Sequence, residues 1–186
     1  MRTKVPEKLI ALVDDVERLG SAPLTRLTVL KKWFEYPGRL PAFALWVAKR
    51  ANSRKGKSTG EAAELFAACK TWLSRVDISR DPPFDRESTE WLLAQLREFQ
   101  NDHVKGAWGS IRQIKNKNLL LIEKCLAIFL EPQPFVADGY RLAADYCQHY
   151  DSRYGDCLNG PSATKIMEIV RFMFDTEAQE TDPSGH

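Results

Sequence analysis

Residues 51–58 read Ala-Asn-Ser-Arg-Lys-Gly-Lys-Ser, a spacing that approaches the glycine-rich phosphate loop of nucleotide-binding proteins, with Lys57 and Ser58 where a phosphate-binding lysine and a magnesium-binding hydroxyl would stand. Such a loop works when a strand delivers it and its backbone N–H groups cradle the phosphates. Here the first glycine is replaced by Ala51, the four intervening residues are crowded, and the preceding segment has a helical pattern. The only formal partner for the metal side of such a site, Glu123 after Leu119–Ile122, also lies inside a helical pattern. A second chemistry suits the same residues. Lys49, Arg50, Arg54, Lys55 and Lys57 place five cations within nine residues, just ahead of a helix N-terminus, which suits contact with the phosphates of a polyanion such as nucleic acid. The plain structural alternative is a solvated, charged bend whose Ser58 and Glu61 form a capping box.

A second basic group, Lys105, Arg112, Lys115, Lys117 and Lys124, surrounds Trp108, and cations interleaved with a ring suit backbone tracking and base stacking. Trp108 also shares a helical stripe with Ile111 and Ile114, which favours core packing as its role. The anion-binding candidates are therefore Lys49, Arg50, Arg54, Lys55, Lys57, Arg112, Lys115 and Lys117. Residues 89–117 also allow a helix-turn-helix reading. Asp145 and His149, four apart on a helix, could make a carboxylate-oriented general base, although no nucleophile accompanies them and a surface pair explains them as well. Cys147, His149 and Cys157 are soft ligands, but Cys147 and His149 fall on different helix faces, so no metal site is expected, and no cofactor.

These groups must be held by helices. Apolar residues recur at helical spacing nearly everywhere: Pro6 to Leu19; a stripe of Leu24, Leu27, Leu30 and Phe34 capped by Ser21 and stopped at Tyr36-Pro37-Gly38; and a buried helix opened by Pro41. Ala62, Leu65, Phe66, Cys69, Trp72, Leu73 and Val76 form the clearest face. A linker over 77–84 precedes a helix capped by Asp85 or Ser88 and carrying Trp91, Leu92, Leu96 and Phe99. Val104 to Ile114 suggests another helix, weakened by Gly106 and Gly109. A turn at 116–118, helices over Leu119 to Leu130 and Tyr140 to Tyr150, and a last helix capped by Ser162 complete eight or nine. The expected fold is all-α, a bundle or irregular stack of helical hairpins: one domain over 1–176 and a loose acidic tail over 177–186.

At 186 residues, 44% hydrophobic and 28% charged, the chain has the composition of a soluble globular domain able to build its own core. Asp14, Asp15 and Glu17 interrupt what a signal peptide would need, and no apolar run is long enough to span a bilayer. Four scattered cysteines suit buried thiols in the cytoplasm. Charge is uneven: residues 1–60 hold 13 Lys/Arg against 5 Asp/Glu, and residues 61–186 hold 14 against 20. These features favour a non-enzymatic helical binding module with an anionic partner. Next comes a protein-interaction or regulatory domain using Trp33, Trp46 or Trp91, and last an enzyme with an unrecognised site.

Overall fold

In the computed structural model the described residues are Phe34, 38–54, 58–100, 103–106, 109–112, 115–131 and 136–150, with Lys165, Glu168, Ile169, Arg171 and Phe172. They form five helices and one hairpin: α1 (Arg39–Ser53), α2 (Gly60–Arg75), α3 (Arg86–Phe99), β1 (His103–Gly106), β2 (Gly109–Arg112), α4 (Lys117–Leu130) and α5 (Val136–Tyr150). The helical class is as expected from the periodicity. The first two expected helices, apart from the buried helical Phe34, the cap of the last one at Ser162 and the tail lie outside the described residues. The chain divides into two compact units, one of residues 37–142 and one of residues 1–36 with 143–186, the boundary falling within α5.

In the unit of residues 37–142 the two most buried helices make the centre. On α4, Leu119, Leu121, Ile122, Cys125 and Leu126 are fully enclosed and, of the other residues, only Lys117 is exposed, so the helix is covered on nearly all sides. It packs on α1, α3 and α2. On α1 the buried positions include Ala42, Ala44, Ala48 and Ala51, whose small side chains let α4 approach closely. A continuous apolar run here makes a buried helix rather than a strand, as the Pro41 start and the alanines imply.

The helix starts differ in chemistry. Gly38 precedes α1 at φ 81° and Gly60 opens α2 at φ 63°, both in the left-handed region where a side chain is strained. Thr59, not Ser58, occupies the cap position of α2, and its side chain makes no cap hydrogen bond. The cap position expected at Ser58 therefore falls one residue later, next to the glycine turn at Gly60. The Asp85 cap of α3 forms as expected, its carboxylate accepting from the Ser88 N–H at 3.0 Å.

Leu65, Phe66, Cys69 and Trp72 bury the expected face of α2, with Ala62, Leu73 and Val76 at its half-buried margins. Trp72 donates its indole N–H to Thr89 Oγ1 at 2.7 Å, and Thr89 in turn donates to the Asp85 carbonyl at 2.6 Å, tying α2 to the first turn of α3. The 77–84 linker is pinned by Phe84, which meets Phe129 edge-on at 5.6 Å, and by the Asp77 N–H bond to the Pro83 carbonyl.

The segment expected as a helix over 104–114 is instead an antiparallel hairpin, with His103 opposite Arg112, Val104 opposite Ile111, and Gly106 opposite Gly109. Two glycines so close together penalise a helix and flank a two-residue connection well, while Val104 and Ile111 are β-branched residues suited to a cross-strand pair. The helix-turn-helix reading of 89–117 falls with it, since the element between α3 and α4 is this hairpin.

Candidate nucleic-acid interface

The two basic groups flank elements that packing brings together. Lys49 and Arg50 sit in the last turn and a half of α1, and Arg54 is its C-cap residue. Lys115 and Lys117 bracket Asn116, the N-cap of α4. A hydrogen bond spanning 64 positions in sequence, from Asn118 Nδ2 to the Arg54 carbonyl at 3.0 Å, joins the C-terminal end of α1 to the N-terminal end of α4. Lys49, Arg54, Lys115 and Lys117 are exposed around this junction and Arg50 is half-buried. Arg112 lies at the end of β2, three residues before Lys115. Lys55 and Lys57, with Gly56, lie outside the described residues, as does Trp108.

Local chemistry holds the junction still. The Asn116 side chain accepts from the N–H groups of Asn118 and Leu119, capping α4. Gln100, only 1% exposed, uses both ends of its amide: Oε1 accepts from the Lys115 N–H at 2.9 Å and Nε2 donates to the Asn116 carbonyl at 2.8 Å. Two cations are backed by rings, with Arg50 Cζ 4.2 Å from the Trp46 ring centroid and Lys115 Nζ 5.1 Å from that of Phe99. Gln100 and Asn118 are positioning residues that the sequence pattern does not mark. A polar residue at the C-terminus of an amphipathic helix and an asparagine in a turn are too common to signal such a role.

Ala51, Asn52 and Ser53 belong to α1, and Ser53 Oγ donates to the Arg50 carbonyl. Among the described residues a helix, not a strand, leads into the 51–58 segment, and Glu123 lies buried in mid-helix, so this is not the frame a phosphate loop needs. Asp145 and His149 both lie half-buried on α5. Beside them the enclosed Tyr146 donates its hydroxyl to Glu168 Oε1 at 2.5 Å, and Lys165 Nζ lies 2.8 Å from Glu168 Oε2. Cys147 is buried, Cys157 lies outside the described residues, and among the described residues no three His, Cys, Asp or Glu side chains gather to hold a metal ion. No described helix is long and apolar enough to cross a membrane.

Of the tryptophans named for protein contacts, Trp33 is outside the described residues and Trp46 is half-buried. Trp91 is 57% exposed. It borders a cavity of about 200 Å³ between α2 and α3 lined by Thr71, Trp72, Arg75, Ser88 and Leu92. No protein-family model, curated protein or solved structure matches this chain.

Proposed function

We propose that this protein is a non-enzymatic helical binding module whose ligand is a polyanion, most concretely a nucleic acid, held at the junction of α1 and α4. The observation that carries the reading is the Asn118–Arg54 hydrogen bond, which makes neighbours of two basic segments that are distant in sequence. Clustered cations on one surface gain affinity by releasing counterions from phosphates, and each phosphate neutralised steepens the salt dependence. The test is binding of labelled single- and double-stranded DNA and RNA across a salt series, comparing wild type with Lys49→Ala, Arg54→Ala and Lys117→Ala combined, all at exposed positions. Micromolar binding near physiological salt is expected, with the log–log salt slope falling by about 0.7 to 0.9 for each phosphate that the variant no longer neutralises. Absence of binding, or binding indifferent to the substitutions, defeats the proposal.

A protein-interaction role is the second reading, favoured by Trp91 at the margin of the α2–α3 cavity. Exposed tryptophans anchor interfaces by filling a partner's pocket, with little dependence on salt. Loss of a salt-insensitive complex on Trp91→Gln would speak for it.

A further inference from the structure

The α1–α4 junction carries rings as well as charges. Phosphate neutralisation alone asks only for mobile cations in water, yet Arg50 is laid over Trp46 and Lys115 over Phe99. Trp46 is itself held in place, stacked on the fully buried Phe43 with ring centroids 5.8 Å apart at 24°. Phe99 directly precedes Gln100, the residue that clamps the backbone of Lys115, so ring and cation share one support. Both rings are partly exposed. Resting on the polyanion reading above, we propose that the ligand is a single nucleic-acid strand and that the Arg50–Trp46 and Lys115–Phe99 pairs contact its bases.

The chemistry separates strand types. A duplex hides the faces of its bases in its own stack and offers a groove-lined phosphate surface, whereas a single strand presents unstacked faces that pack on rings and on the guanidinium plane. A guanidinium held against a ring loses less freedom when it engages a ligand than a fully solvated side chain does, and its plane is what a lysine cannot reproduce. The competing account, in which the two pairs serve the fold alone, predicts no preference for bases.

The experiment uses the full chain and ligands of matched phosphate number: an oligothymidine of about 15 nucleotides, an abasic strand and a duplex. The wild-type protein is expected to bind the oligothymidine about tenfold more tightly than the abasic strand. Arg50→Lys, which keeps the charge, is expected to weaken oligothymidine binding about fivefold with an unchanged salt slope, and to weaken abasic-strand binding less. Circular dichroism and the thermal midpoint show whether the variant is folded, and the ligand comparison on wild type needs no variant at all. Equal affinity for oligothymidine, abasic strand and duplex overturns base contact and leaves the polyanion reading standing. If none of the three binds, both fall together.

Discussion

Gln100 shows how much a single buried amide can position. Its two hydrogen bonds hold the Lys115 N–H and the Asn116 carbonyl, the backbone groups that set where α4 begins. Gln100→Leu removes the acceptor of the Lys115 N–H and one of the two donors to the Asn116 carbonyl, which keeps the Leu120 N–H, and a loss of about 1–2 kcal/mol is expected in urea denaturation. The same change is expected to weaken polyanion binding, because Lys115 and Lys117 are carried by that bend. Thr89 is a second such residue. Thr89→Val keeps the shape but leaves the buried Trp72 indole without its acceptor, and a loss of about 1–3 kcal/mol is expected with an unchanged denaturant slope. Neither role is legible in the sequence: Thr89 is there a polar position in the first turn of a helix, and its partner lies 17 residues away.

At the scale of elements, helix starts separate two kinds of signal. Gly60 lies at φ 63° with open space where a Cβ would go, so Gly60→Ala costs backbone strain rather than a clash, and about 1 kcal/mol is expected from thermal denaturation. Asp85 is a side-chain cap. The Ser88 backbone N–H, and then its hydroxyl, hold the Asp85 carboxyl below the usual carboxylate range. Its folded pKa is depressed, so the stability it contributes is present above about pH 4 and is lost as pH falls through the folded value. The stability difference between wild type and Asp85→Ala should therefore narrow when unfolding is followed from pH 6 down to about pH 2. The Asp85 cap is readable because its pattern is local. The hairpin segment reads as a helix because Val104 and Ile111 fit both periods, and the cross-strand pairing that decides between them is not a local property.

Across the whole molecule, Cys69, Cys125 and Cys147 are buried thiols. Burial pushes the Cys69 thiol up to about 12 and the Cys125 thiol higher still. Raised values mean that the stability these two contribute is present below the unfolded thiol value and is lost as pH rises from about 9. All three cysteines should resist a thiol reagent in native buffer and react in denaturant, with mass spectrometry of the labelled peptides as the readout. The sequence by itself determined the helical class, the places of α1 to α4 and most of the buried faces, because a period of 3.6 and the glycine, proline and capping signals act over a few neighbouring residues. Only the tertiary structure decided that the basic ends of α1 and α4 meet, that 103–106 pairs with 109–112 as strands, and that Gln100 is enclosed. Each of these depends on contacts between residues far apart in the chain, whose free energy arises only when the helices have packed.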